Sequence, residues 1–108
     1  MRPIHLAHLD KTRPVLVLTR ELVRPHLSRV TVAPITSTIR GLSTEVPVGS
    51  DNGLDHPSVV SCDNVVTVPT AALGRQIGRL RPEQEMALTA ALHAAFDLED
   101  LMPFRGSR

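Results

Sequence analysis

Short apolar runs rather than long helical stripes dominate the chain as far as Leu80. Ile4, Leu6 and His8 alternate through residues 4–9, which predicts a strand with those three on one face. Asp10-Lys11-Thr12 makes a polar turn. Residues 14–19 then run apolar without interruption, which predicts a strand buried on both faces. Residues 20–29, with Arg20, Arg24, Pro25, His26 and Arg29, read as a surface loop. A second β-branched run covers 30–35, and a polar turn covers 36–41. Residues 43–48 alternate as a half-exposed strand. Gly49 to Pro57 is rich in Gly, Asp and Asn and reads as a long turn. Short strands follow at 58–62 and 64–68, joined around Asp63. A single helical turn is expected at 69–73 and a last strand at 75–80.

After Leu80 the period changes. Pro82 suits a first helical position, and Glu83 and Glu85 favour the positive end of a helix dipole. Leu88, Ala91, Leu92, Ala95 and Phe96 recur at helical spacing, predicting a helix to about Phe96 with that face buried. Leu98, Leu101, Met102 and Phe104 in the tail need cover, and the last four residues are expected to be loose. The expected fold is mainly β: a small, strongly curved β-barrel with helical decoration, in one domain over residues 1–108.

Composition narrows the function classes. No apolar run reaches the ~20 residues that cross a bilayer, and no apolar segment follows Met1-Arg2-Pro3 as in a signal peptide. Cys62 is the single cysteine, which excludes an internal disulfide framework. A cytoplasmic location is therefore expected. Net charge is +1, but residues 1–50 hold seven basic and three acidic side chains, while 51–108 hold five and eight. The basic half suits an anionic partner; a scattered basic surface accounts for it as well. Eleven of the twelve basic residues are Arg, whose planar fork matches phosphate. Phe96 and Phe104 are the only aromatics, so an RNA partner would be held through phosphates, base edges and Arg planes rather than base stacking.

The candidate chemistry lies at the ends of the two buried runs. Arg13 precedes Pro14-Val15-Leu16-Val17-Leu18, and Thr36, Ser37 and Thr38 follow Val32-Ala33-Pro34-Ile35. One cation and neighbouring hydroxyls suit a phosphate better than a metal. Each residue also has an ordinary explanation, as a solvated Arg or as turn-forming hydroxyls. His5 and His8 fall on opposite strand faces, which disfavours a shared metal. His8 is a candidate base near neutral pH; His26, His56 and His93 are isolated. Cys62 fits a small buried hydrophobe, and Asp63 and Asn64 fit either a turn or a base edge. No zinc spacing, phosphate loop, dinucleotide fingerprint or nucleophile elbow is present, so neither a metal nor a cofactor is expected.

Taken in order, these strings resemble the MazF/PemK family of toxin endoribonucleases. The matching pieces are Leu9-Asp10, Arg13 to Leu18, Val32 to Ser37, Pro57 to Asn64, Thr67-Val68 and Leu73 to Leu80, within about Ile4 to Phe96. The resemblance implies a small SH3-like β-barrel that forms a homodimer. It implies metal-independent, sequence-specific cleavage of single-stranded RNA, as the toxin of a type II toxin–antitoxin system. It makes Arg13 and Thr36 the catalytic pair and Asp63 and Asn64 RNA contacts, with Lys11, Ser37, Thr38 and Arg40 as further RNA-binding candidates. A MazE-like antitoxin would block the RNA groove with a disordered C-terminal segment.

The chain departs from the family in opening with Met1-Arg2-Pro3 and in shortening the loop between the first two strands to Lys11-Thr12. That shortening bears on target sequence and antitoxin docking. The mechanism expected from the resemblance is attack by a ribose 2′-OH, with Arg13 stabilising the phosphorane and Thr36 positioning phosphate or relaying a proton. His8 is the candidate auxiliary base. Two other readings compete: a gyrase poison resembling CcdB, disfavoured because the chain has no Trp, and a non-catalytic SH3-like binding module.

Overall fold

A computed structural model describes residues 2–98. Seven strands form one antiparallel sheet: β1 (Pro3–His8), β2 (Thr12–Val17), β3 (Arg29–Thr36), β4 (Glu45–Val48), β5 (Ser58–Ser61), β6 (Val66–Pro69) and β7 (Leu73–Arg79). A helix, α1 (Pro82–Phe96), follows. The spatial order is β4-β5-β3-β2-β1-β7, with β6 also paired to β3. The expected curved barrel is thus a half-barrel: the sheet curls and carries its helix at the C-terminal end of the described chain.

β3 organises the sheet. Its first half pairs with β6 from Arg29 to Val32, and its end pairs with β5 at Ile35 and Thr36. Pro34, with no N–H to give, falls between those two ladders. A 3-10 turn at Cys62–Asn64 fills the same interval between β5 and β6. It also delays the strand expected from residue 64, which begins at Val66.

The buried run behaves as its composition dictates. Leu16 enters one apolar cluster with Ile4, Ala33, Ile35, Val60, Leu80 and Leu88. Val15 and Val17 enter the other with Ala7, Val30, Val32 and Val68. β2 is therefore buried on both faces and holds the two cores in register.

α1 begins at Pro82, and Gln84 reaches back to accept the Arg81 N–H at 2.8 Å. It ends where Asp97 turns left-handed at φ 55°. Leu88 and Ala91 are buried, and Leu92 and Ala95 are partly buried against the same cluster. Phe96 corrects the expectation: it is 55% exposed. At 100° per residue it lies about 80° around the helix from Leu88, off the face that meets the sheet. Leu98 is also exposed. Leu101, Met102 and Phe104 lie outside the described residues.

No helix among the described residues is long and apolar enough to cross a membrane.

Candidate active site

β2 and β3 bring the two polar strings together. Their register pairs Val15 with Pro34, Leu16 with Ala33 and Val17 with Val32. Carried two residues further, that register sets Arg13 beside Thr36. Both residues line two adjoining cavities, of about 370 Å³ and about 500 Å³, which together make one groove along the sheet.

The smaller cavity also contains Lys11, Ser37, Leu54, Asp55, His56 and Ser58 in its lining. The larger contains Thr38, Arg40, Glu45, Ser61, Asp63 and Asn64. Eight of the nine residues singled out from sequence therefore share the groove. His8 is the ninth and does not line it. Its Nδ1 lies 3.1 Å from Thr12 Oγ1 at the exposed end of the β1–β2 hairpin. β1 pairs in unbroken register with β2 from Ile4 to His8, so His8 follows Leu6 on the same face, but as the last residue of the strand it stands beyond the end of the cavity.

Arg13 is held from one side. Its Nη2 donates to Asp10 Oδ2 at 3.2 Å and lies 3.2 Å from Oδ1. Asp10 is largely exposed, so the pair adds at most about 1 kcal/mol to stability; its effect is to orient the guanidinium. Arg13 Nε is buried and has no hydrogen-bond partner among the described residues. A buried unpaired donor costs roughly 1–3 kcal/mol. Asp10 is the partner that the reading of candidate residues missed. Its signal was an acid three positions before an Arg across a tight turn.

Thr36 is prepared differently. Its Oγ1 accepts the Thr38 N–H at 3.1 Å. With a lone pair engaged by backbone, the hydroxyl proton is left to donate into the groove.

The carboxylates of the larger cavity are already engaged. Glu45 Oε1 accepts from the backbone N–H groups of Arg40, Gly41 and Leu42 at 3.2, 2.9 and 3.1 Å. Gly41 permits this cradle with φ 74°. Asp63 Oδ2 accepts from Thr44 Oγ1 at 2.6 Å, and Asn64 Nδ2 donates to Ser61 Oγ at 2.8 Å. Lys11, Arg13 and Arg40 then supply the groove's cationic side chains.

The opposite wall is a loop clamped from below. Asn52 is buried; its Nδ2 donates to Arg79 O at 3.0 Å and to Gln84 Oε1 at 2.7 Å. Its Oδ1 accepts from Gly49 N at 3.0 Å and from Gln84 Nε2 at 3.1 Å. All four hydrogen-bonding positions of one amide are used. Gly53 and Gly78 let the loop and β7 meet backbone to backbone, since a Cβ on Gly78 would overlap the Asn52 carbonyl. This clamp sets Leu54, Asp55 and His56 against the groove.

Cys62 takes no part in nucleophilic chemistry. It is buried, and burial, with the Asp63 charge adding to it, pushes its thiol up to about 11 from 9.0. The neutral thiol is the stable form at neutral pH. At pH 7.5 its thiolate fraction is lower by about 100-fold than that of the unfolded chain. Alkylation by iodoacetamide, read by mass spectrometry, should be slower in the folded protein by at least that factor and fast in urea. Equal rates would contradict the burial. Among the described residues no group of three or more His, Cys, Asp or Glu side chains could hold a metal ion.

Comparison with known proteins gives this groove its context. Residues 3–96 match the family model of the PemK-like, MazF-like toxin of type II toxin–antitoxin systems. The chain is 68% identical over 99 residues to Endoribonuclease MazF3 of Mycobacterium tuberculosis (strain ATCC 25618 / H37Rv), covering 92% of this chain and 96% of that one. The fold superposes on the M. tuberculosis toxin MazF-mt6 with TM-score 0.89 at 67% identity, covering 91% of this chain and 99% of that one. A mycobacterial endoribonuclease solved in complex with its cognate antitoxin shares the fold, with TM-score 0.81 at 24% identity over 90% and 93% of the two chains. These relatives support neither a gyrase poison nor a non-catalytic binding module. The chain belongs to the PemK-like, MazF-like toxins of type II toxin–antitoxin systems and is a MazF-type toxin endoribonuclease.

Proposed function

We propose that the chain cleaves single-stranded RNA at a short sequence, without a metal, by making the ribose 2′-OH attack the adjacent phosphorus. The observation that carries this reading is Arg13 beside Thr36 on neighbouring strands, both lining one groove. As the 2′-O–P bond forms and the P–O5′ bond breaks, negative charge accumulates on the non-bridging oxygens. Arg13, held by Asp10 and charged at any working pH, stabilises that charge. Thr36 donates to a phosphate oxygen and fixes the scissile group. The products are a 2′,3′-cyclic phosphate and a 5′-OH end.

The rest of the groove supports a strand of RNA. Lys11 and Arg40 flank Arg13 on its two sides and suit the neighbouring phosphates. Ser37 and Thr38 offer hydroxyls. Asp63 and Asn64, held by Thr44 and Ser61, present carboxylate and amide to base edges. The protein works in the cytoplasm as a homodimer, each 108-residue chain being one toxin domain. A MazE-like antitoxin is its partner, in keeping with its family and with the antitoxin complex of a structural relative.

Sequencing the 5′ ends produced by the purified protein maps the cut site. An RNA oligonucleotide carrying that site with a single 2′-deoxy sugar at the cut should then resist cleavage by at least about 10³-fold, because the nucleophile is gone. EDTA should leave the rate on the all-ribose oligonucleotide unchanged. Normal cutting of the 2′-deoxy substrate, or loss of activity in EDTA, would contradict the mechanism.

A further inference from the structure

We propose that His56 is the general base of this groove, taking the 2′-OH proton from the wall opposite Arg13 and Thr36; this rests on the 2′-OH mechanism proposed above. That mechanism needs an acceptor for the proton, and Arg13 cannot be it. A guanidinium gives up its proton only above about pH 12.

The groove offers few alternatives. Glu45 is tied to three backbone N–H groups, and Asp63 is tied to Thr44. Of the five histidines, His5 bonds the Gly74 carbonyl at 2.9 Å, and His8 bonds Thr12. His26 sits in the 3-10 turn at Arg24–His26, and His93 lies on α1. His56 alone lines the cavity that holds Arg13 and Thr36. It is exposed, so its ring is open to substrate and solvent.

His56 is also held in place. Its carbonyl accepts the hydroxyl of buried Ser58 at 3.0 Å. Its loop is fixed by Asn52, Gln84 and the Gly53–Gly78 approach. An imidazole on a clamped loop, lining the same cavity as an Arg and a Thr, suits proton transfer to a positioned group.

The step balances without a further reactant. A ring nitrogen of His56 takes the 2′-OH proton as the 2′-O–P bond forms. The P–O5′ bond breaks, O5′ takes a proton from water, and the imidazolium returns its proton to solvent. Lys11, Arg13 and Asp55 are the charged groups sharing this cavity with His56. Asp51 faces it in the adjoining cavity and lies 3.6 Å from Arg81.

The test is kcat/KM against pH, from 5.5 to 8.5, on the oligonucleotide carrying the mapped cut site. The full chain, His56→Ala and His56→Gln are compared, each with its melting curve. Wild-type activity should rise with pH and then level off. Both variants should fall about 10²-fold at pH 7.5 with melting unchanged, and both should lose that rise. Free imidazole should restore His56→Ala at least about tenfold. Three results would overturn the assignment: His56→Gln as active as wild type, an unchanged acidic limb in the variants, or lost activity that imidazole does not restore. Wild-type cleavage alongside any of these leaves the Arg13–Thr36 reading intact. An inactive wild type removes both.

Discussion

Replacing Arg13 with alanine is expected to lower kcat on the target RNA by about 10²–10³-fold, the cost of removing one preorganised donor from a developing oxyanion. Binding should weaken much less, since Lys11 and Arg40 also line the groove and would still hold neighbouring phosphates. The fold should be unaffected. The side chain is 28% exposed, its ion pair is to a largely exposed Asp10, and removing it discards a buried donor unpaired among the described residues. Single-turnover cleavage of the mapped oligonucleotide, alongside thermal melting, separates these effects. Arg13→Lys should recover little, because an ammonium keeps the charge but loses the planar fork that Asp10 orients. An alanine variant that cuts at the wild-type rate would remove Arg13 from the reaction.

The largest expected effect on stability lies away from the groove. In Gly78→Ala the new Cβ would overlap the Asn52 carbonyl, which belongs to backbone on both sides of the contact. No flexible side chain can move aside. The loop must lift from β7, breaking the Asn52 bonds to Arg79 and Gln84. A cost of about 3 kcal/mol follows from overpacking and the lost amide network. For a chain of this size that corresponds to a fall in Tm on the order of 10–20 °C. Gly49→Ala is the control: its backbone is extended at φ −173°, and the nearest atom to a Cβ there is Pro57 Cα at 4.0 Å. It should change Tm by only a few degrees. Because the same clamp sets Leu54, Asp55 and His56 along the groove, Gly78→Ala should also lose activity below its Tm. Equal melting of the two variants would contradict the clamp.

What was legible in the sequence follows from where the interactions lie. Residues 14–19 announce a strand buried on both faces because each side of the strand has its own core, Leu16 in one and Val15 and Val17 in the other. Arg13 and Thr36 could be paired from their strings because each ends an apolar run, and the two runs are neighbours in an antiparallel ladder. The start of the helix at Pro82 is local chemistry and was equally plain.

His56 was not legible. Its sequence neighbours say nothing of the groove; it reaches the wall because Gly53 meets Gly78 and Asn52 meets Gln84, contacts between distant segments. His8 drew notice by standing near Arg13 in sequence, yet it closes β1 opposite Thr12 and so stays at the hairpin end, where it bonds the Thr12 hydroxyl. Phe96 fitted the helical spacing at its margin and proved to lie past the edge of the packed face. Local pattern thus located the Arg13–Thr36 wall of the groove, while the opposite wall depended on tertiary contacts.

The end groups on the cleaved RNA test the central claim most directly. Digestion of the mapped oligonucleotide, followed by mass spectrometry of the two fragments, reads them without labels. A groove that directs a ribose 2′-OH onto phosphorus, with Arg13 and Thr36 holding the scissile phosphate, predicts a 2′,3′-cyclic phosphate on one fragment and a 5′-OH on the other. A 5′-phosphate paired with an unmodified 3′-OH would mean that water was the nucleophile, and would contradict the account.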